Sequence, residues 1–259
     1  EIYMDELVGG KIFEAHGEEF PLLIKFIDSN DWLSIQVHPS DELAARRNIG
    51  SGKTEMWYVL QADKGAQLIS GFSKKTDKDN FMKHLQEKTL DEILNTELVS
   101  SGDVFYMPAG RIHSLGPGIL LAEIQQTSDI TYRIHDFDRV DASGNARELH
   151  TELALDALDF TTYPQYRSSY KSLLNQTNTL VHCSYFASNL LRLNKPLTKN
   201  YNELDSFVVY LGTAGNANIH YSNGVVSIRA GECVLLPAVL DQITIIPDSE
   251  VQLLEIYVL

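Results

Sequence analysis

The sequence predicts a mainly β chain built as two related β-barrels, and three observations carry that prediction. Most of the 259 residues fall into short strand-like runs between Gly, Pro and Asn turns, a rhythm suited to barrels and sandwiches. The runs fill both halves and leave a more helical stretch between them. A frame also recurs. Gly102, five residues and Pro108, with the strand ILLAEIQ behind them, are echoed by Gly231, five residues and Pro237, with VQLLEIY behind them. Such a repeat indicates duplication of one fold rather than two unrelated domains.

The chain opens on EIYMDELVGG, which reads as the tail of a helix closed by Gly9 and Gly10, so an upstream segment is expected before Glu1. Strands follow at 22–27, 33–38, 55–61, 66–69, 104–107, 119–125 and 131–135. Within LSIQVHP, the apolar Leu33, Ile35 and Val37 alternate with Ser34, Gln36 and His38. Alternation of period two gives a strand with one core face and one polar face. A Gln-x-His pair on that polar face suits a metal or a ligand inside a barrel better than bulk water.

A helical insertion is expected at about 73–97, made of one helix over 77–88 and a second behind the capping box Thr89-x-x-Glu92. Asn145-x-x-Glu148 opens a third helix that runs to about Phe160, inside a helical bridge at 141–178. The remainder is again all strand, at 181–186, 189–193, 206–211, 216–221, 225–228, 233–236, 242–246 and 251–258. The expected organisation is a first barrel at 1–140 with the insertion, the bridge, and a second barrel at 179–259.

Lys and Arg number 21 against 35 Asp and Glu, a net charge of −14. That excess argues against nucleic acid and anionic membrane surfaces as partners, and an anionic small substrate would need a local basic pocket. Cys183 and Cys233 have no CxxC spacing and read as buried free thiols of a cytosolic protein rather than a disulfide. No apolar run approaches the ~20 residues that span a bilayer, and no signal peptide is present, so a cytoplasmic location is expected. SGK at 51–53 lacks the G-x-x-x-x-G-K-[ST] frame, and the chain has no βαβ rhythm, which excludes a nucleotide loop.

The candidate chemistry centres on Gln36, His38, Glu55 and His113, the last of these closing the frame Gly102-x5-Pro108-x-Gly110-x2-His113. Two imidazoles, a carboxylate and a carboxamide form a mixed nitrogen and oxygen set for a divalent cation. Either histidine alone reads as an ordinary structural one; the set together reads as metal. Gln36 is its softest member, because a carboxamide is a weak ligand. Lys25 interrupts the apolar run LLIKFI, which is costly unless its ammonium emerges or meets an anion. Arg133 lies ten residues after Glu123, so the two share strand parity. His16, His84, His150, His182 and His220 lack partners at ligand spacing, and Trp32 and Trp57 read as core or rim aromatics.

That frame matches the second motif of the cupin barrels at all four positions, with Gln36-x-His38 and Glu55 in the place of the first motif. Three ordered blocks go further: LSIQVHPSD, GKTEMWYVL and MPAGRIHSLGPGILLAEIQQTSDITYRIHDFDR. Together they resemble type I mannose-6-phosphate isomerase of the short bacterial kind, closely over roughly residues 20–140 and more loosely beyond. The family normally carries several tens of residues before the point where this chain begins.

The resemblance implies cupin-type jelly-roll barrels and one zinc ion per chain, other divalent metals being compatible with the ligands. It implies interconversion of mannose 6-phosphate and fructose 6-phosphate through an enediol, with a sugar phosphate as the small-molecule partner. Arg133 corresponds to the family's catalytic arginine, Lys25 and Ser34 to substrate-facing positions, and Arg139 to a basic phosphate contact. Lys53 falls where the family has a lysine beside the metal glutamate. A proton carrier is also needed, and Glu123, His135 and Lys53 are the candidates.

Two other readings compete, a different cupin metalloenzyme such as a dioxygenase and a non-enzymatic sugar-binding cupin. Lys25 with Arg133 favours an anionic substrate over the first, and the complete ligand set disfavours the second. In the second half, eleven residues on from Gly231 lies Gln242 rather than histidine, and only His220 is nearby. A metal-free second barrel is therefore expected, with no matching carboxylate and with Val234, Leu236, Ile243, Ile245 and Leu253 in its core.

Overall fold

The computed structural model describes residues 3–259, beginning with two short helices, α1 (Met4–Val8) and α2 (Gly10–His16). Two compact units follow from the contacts: Leu22–Ser168, and Ser169–Leu259 together with the described part of the segment ending at Pro21. This division differs from the expected boundaries at 140 and 178. The N-terminal helices join the second unit because Glu6, Leu7 and Val8 give their carbonyls to the N–H groups of Val239, Ala238 and Phe207. The Asp205 carboxylate also accepts from the N–H groups of Gly10 and Lys11, at 2.7 and 3.0 Å. Gly9 closes α1 as expected, and Gly10 opens a second helix directly behind it. Gly9 has φ +100°, and a Cβ there would fall 2.4 Å from the Asp205 carbonyl oxygen, so only glycine fits.

In the unit 22–168 the chain forms β1 (Leu22–Ser29), β2 (Ile35–Val37), α3 (Asp41–Arg47), β3 (Glu55–Ala62) and β4 (Gln67–Phe72). It continues as α4 (Lys78–Gln86), a 3-10 turn (Leu90–Glu92), β5 (Leu94–Leu98), β6 (Val104–Met107) and β7 (His113–Leu115). β8 (Ile119–Gln126), β9 (Tyr132–His135) and α5 (Thr151–Ala157) complete it. The strands make two antiparallel sheets, ordered β1-β8-β3-β6 and β5-β4-β7-β2-β9. Trp57, Phe105 and Leu121 of the first sheet share one buried cluster with Leu68 and Leu115 of the second, so the sheets face each other over a common core. Each remains a separate ladder, an open jelly-roll sandwich rather than a single closed barrel. On the outer face of the second sheet, Ile35, Val37 and Ile134 pack with Phe72, Phe81 and Ala154. Both faces of β2 are therefore covered, and its polar side chains point into the sandwich.

The helical expectations are only partly met. α4 forms, capped by the Asp77 carboxylate on the Asn80 N–H at 2.9 Å. The Thr89 hydroxyl instead bonds His84 Nδ1 at 2.8 Å, leaving a single 3-10 turn, and 94–98 is a strand on β4. Asn145 is held by the Asp141 carboxylate, so α5 starts only at Thr151 and most of the bridge is extended. α3 was not expected, although Ser40 caps it and acidic residues open and basic residues close it, as the helix dipole favours.

The second unit adds β10 (Thr177–His182), β11 (Ala187–Leu193), β12 (Leu197–Asn200), β13 (Val208–Ala214) and β14 (Asn216–Tyr221). β15 (Gly224–Arg229), β16 (Cys233–Leu236), β17 (Gln242–Pro247) and β18 (Val251–Tyr257) follow. Its sheets run β10-β11-β18-β13-β16 and β12-β17-β14-β15. The order β11-β18-β13-β16 repeats β1-β8-β3-β6, and β12-β17-β14-β15 repeats β2-β7-β4-β5, as the recurrent frame predicts. Leu236, Ile243, Ile245 and Leu253 are buried in its core as expected, with Val234 packed partly buried against them. Cys183 and Cys233 are unpaired, but neither is buried: Cys183 is half-buried and Cys233, at the start of the edge strand β16, is exposed. Among the described residues no helix is long and apolar enough to cross a membrane.

Within the first unit, one phenol helps fasten the segment after α5 to β4. Tyr166 Oη accepts from the Phe72 N–H at 3.0 Å and donates to the Phe72 carbonyl at 2.8 Å, both buried. Tyr166→Phe leaves those groups without their partner and should cost about 1–3 kcal/mol. A lower urea midpoint at unchanged slope is the expected reading. An unchanged midpoint would show that the hydroxyl contributes nothing net.

Candidate metal centre and active site

Four polar side chains converge at one end of the sandwich between β3, β7 and β2. Glu55 is the first residue of β3, His113 the first of β7, and His38 follows β2 directly. Gln36 of β2 stands opposite both His113 and Arg133 in the sheet. The ladder between β2 and β9 shifts register between Ile35 and Gln36, an irregularity of the kind that re-aims side chains beside a site.

His38, Glu55 and His113 are almost wholly inaccessible, at 2%, 0% and 1% exposure, and their ligand atoms all lie within 4.8 Å of one another. His38 Nε2 is 3.6 Å from one Glu55 oxygen, and His113 Nε2 is 3.3 Å from the other. Each imidazole is fixed through its second nitrogen, His38 Nδ1 on the Ile130 carbonyl at 2.7 Å and His113 Nδ1 on the Arg111 carbonyl at 2.8 Å. Donation from Nδ1 leaves the Nε2 lone pairs facing the carboxylate, the orientation that metal-binding histidines adopt. His38 Nε2 and Glu55 Oε1 have no hydrogen-bond partner although both are buried. Unpaired buried polar atoms on two of three converging ligands are what a divalent cation would satisfy. Gln36 Nε2 lies 3.2 Å from His113 Nε2, and its Oε1 accepts from Ser34 Oγ at 3.1 Å. A half-turn of that carboxamide would present the oxygen to the ligands instead, and the Ser34 hydroxyl can accept as well as donate.

The electrostatics agree. Burial, then the Lys53 ammonium, holds the His38 imidazolium form well below its usual range, and burial lowers His113 against the pull of Glu55. Both rings are thereby kept neutral, the state that binds metal. Lys53 Nζ lies 2.9 Å from the Glu55 carboxylate. Burial pushes Lys53 down, but Glu55 and Glu123 more than offset it, and the ammonium ends above its ordinary value.

The other expected residues divide into two groups. Lys25 meets its anion: Nζ lies 3.0 Å from Glu123 Oε1 and 2.6 Å from Gln125 Oε1, with about a third of the side chain exposed. The second Glu123 oxygen accepts from Trp57 Nε1 at 2.9 Å, and the Trp57 ring stands edge-on to His113 at 5.4 Å. Lys25, Glu123 and Gln125 therefore form a polar shelf on the sheet that carries Glu55. On β9, Arg133 lies across from Gln36 and donates from Nη1 to the Glu148 carbonyl at 2.8 Å. Beyond it, Arg139 donates to the Trp32 carbonyl and to the buried Asp136 carboxylate, each at 2.5 Å. Arg147 grips the same carboxylate, Nε at 2.7 Å. The Arg147 and Arg139 hydrogen bonds hold the Asp136 carboxyl below the usual carboxylate range even against burial.

Sequence reasoning missed Gln125, Trp57, Asp136 and Arg147. The first two share strand parity with Glu123 and Glu55 and could have been found by alternation. Asp136 and Arg147 meet only through the fold. His135 is placed apart from the metal ligands, beside Phe137, in a cavity of about 450 Å³ that Trp32, Ile35 and Ile69 also line.

Depressed histidines carry a stability consequence. Below about pH 6.5 the unfolded chain takes up protons that folded His38 and His113 refuse, so metal-free protein loses stability as pH falls from there. Urea midpoints of chelator-treated protein should drop between about pH 7.5 and about pH 5, and His38→Gln should flatten the profile. A profile equally steep in that variant would place the effect elsewhere.

Comparison with known proteins gives one consistent result. Residues 2–93 match the family described as phosphomannose isomerase type I, catalytic domain. The chain is 34% identical over 227 residues to mannose-6-phosphate isomerase ManA of Bacillus subtilis (strain 168), covering 86% of this chain and 71% of that protein. It is 35% identical over 219 residues to the mannose-6-phosphate isomerase of Streptococcus mutans, covering 84% and 68%. The crystal structure of the mannose 6-phosphate isomerase from Bacillus subtilis superposes with a TM-score of 0.84 at 29% identity, over 95% of this chain and 80% of that one. With its jelly-roll sandwiches and its buried His-Glu-His cluster, the chain belongs to the type I mannose-6-phosphate isomerase family.

Proposed function

We propose that this chain interconverts mannose 6-phosphate and fructose 6-phosphate, with one divalent ion, zinc, held by His38, Glu55 and His113 and supported by Gln36. The observation that carries the reading is the convergence of three buried, neutral-or-anionic ligands in a member of this isomerase family. When bound, the ion would supply Lewis acidity to the sugar oxygens that gain negative charge.

The isomerisation removes a proton from C2, returns it at C1, and moves a second proton between O1 and O2. Glu123 is the carboxylate assigned to the carbon-bound proton. Its hydrogen bonds from Lys25 and Trp57 fix both oxygens in place for that transfer. Lys53 pairs with Glu55 at 2.9 Å and positions that carboxylate beside the two histidines. Arg133, on the strand beside Gln36, offsets negative charge on the enediolate oxygens. Lys25 and Ser34 face the sugar hydroxyls. Arg139 anchors the phosphate, and Asp136 holds its guanidinium in place. The basic residues supply the local pocket that an anionic substrate needs against a net charge of −14.

The direct test supplies fructose 6-phosphate and follows mannose 6-phosphate, with and without a chelator. Turnover abolished by the chelator and restored by added zinc is expected. His113→Ala should give a folded protein without metal or turnover; a variant that keeps both would sink the ligand assignment. Arg133→Lys keeps the charge but loses the planar fork. It should lower kcat on the order of 10²-fold with little change in KM, like removal of an oxyanion donor. An effect confined to KM would make Arg133 a phosphate anchor instead.

A further inference from the structure

The duplicated topology allows the units to be compared position by position. In the first, Glu123 stands opposite Lys25 on β1 and Trp57 on β3. In the second, Glu255 stands opposite Asn189 on β11 and Tyr210 on β13. The same register matches Glu55, opposite Gln125, with Val208, opposite Tyr257. His113 faces Gln36 across β7 and β2, and the nearest inward position of β17, Ile243, faces Lys199 of β12. His38, two residues past Gln36, then corresponds to Tyr201. Gln242, reached by counting from Gly231, is exposed. The three metal ligands are thus replaced by Tyr201, Val208 and Ile243, and burial, then the charge of Glu255, holds the Tyr201 phenol far above its ordinary range and protonated.

The position beside them, which matches Glu123, is not filled with an apolar group. A carboxylate the sequence count overlooked, Glu255, lies there at 1% exposure. Tyr201, Tyr210 and Asn189 donate to it at 2.5, 3.1 and 3.0 Å, and Lys199 Nζ sits 2.8 Å away. The ammonium that β1 provides in the first unit comes from β12 in the second. Around this cluster opens a cavity of about 350 Å³, whose walls include Thr177, Thr179, Asn200, Glu203 and Tyr257.

We propose that this cavity is a metal-free binding pocket for a neutral sugar, standing where the other unit has its shelf of Lys25, Glu123 and Gln125. Its size is that of an ordinary small-molecule site. Lys199 is already paired with Glu255, and Glu203 adds a further carboxylate, so the walls carry no spare positive charge for a phosphate. Threonine hydroxyls and asparagine carboxamides both donate and accept, as sugar hydroxyls require. The Tyr257 ring offers a flat surface for the C–H face of a pyranose.

The probe is D-mannose, titrated into the full chain while backbone amide resonances are followed. Saturable shifts at Thr179, Asn189, Asn200 and Tyr257 are expected, with none at those amides when inorganic phosphate replaces the sugar. Thr179→Phe, which fills the mouth, should weaken binding at least tenfold while the isomerase rate stays unchanged. Asn200→Leu, at another exposed position, repeats the test should the first variant fold poorly. No shifts at these amides, shifts confined to the Leu22–Ser168 unit, undiminished binding in both variants, or saturation by phosphate would each overturn the proposal. Because isomerisation is read separately, failure here leaves the assignment of the first unit standing, and the reverse also holds.

Discussion

A single carboxylate sets the terms for the rest of the first unit. Glu55 is fully buried, and an isolated carboxylate in that position would be several kcal/mol out of balance unless paired or bound to a cation. Lys53 supplies one partner at 2.9 Å, while His38 and His113 face the two oxygens without hydrogen-bonding them. The imidazoles cannot relieve the charge by protonation, since burial and Lys53 keep them neutral. The arrangement is therefore incomplete as a protein-only network and complete with a divalent ion.

The sandwich makes that incompleteness affordable. Trp57, Leu68, Phe105, Leu115 and Leu121 fill the interior next to the ligands, so the sheets hold the polar end together from behind. Carbonyls of Ile130 and Arg111 fix the rings, and Asp136, just past β9, gathers Arg139 and Arg147. Pre-set ligands and pre-set cations lower the cost of organising the site around a small anionic substrate. The second unit keeps the topology but exchanges the ligands for Tyr201, Val208 and Ile243. It is the same scaffold with a different electrostatic problem, solved by Lys199 and two phenols around Glu255.

What the sequence disclosed follows from how local the signal was. The alternation of LSIQVHP identified the inward face of β2, and the Gly-Pro-Gly-His frame located His113, because strand parity and turn glycines are written in neighbouring residues. The helical readings at Thr89 and Asn145 failed because their side chains found other partners, His84 and Asp141, that a capping pattern does not reveal. Strand 94–98 was hidden by its short length and by the helix before it. Glu255 is not marked by histidine spacing, but the repeat of ILLAEIQ in VQLLEIY carries a glutamate at the matching place. Asp136 and Arg147, eleven residues apart, are joined only by a loop that no periodicity describes.

The central claim is that one complete ligand set, closed by Glu55, binds one ion in the chain and that the duplicated unit binds none. Metal quantification of protein purified without added metal addresses it most directly, with Glu55→Gln prepared in parallel. About one divalent ion per chain in the wild type and none in the variant is the predicted result. Two ions per chain, or full metal content in Glu55→Gln, would contradict it.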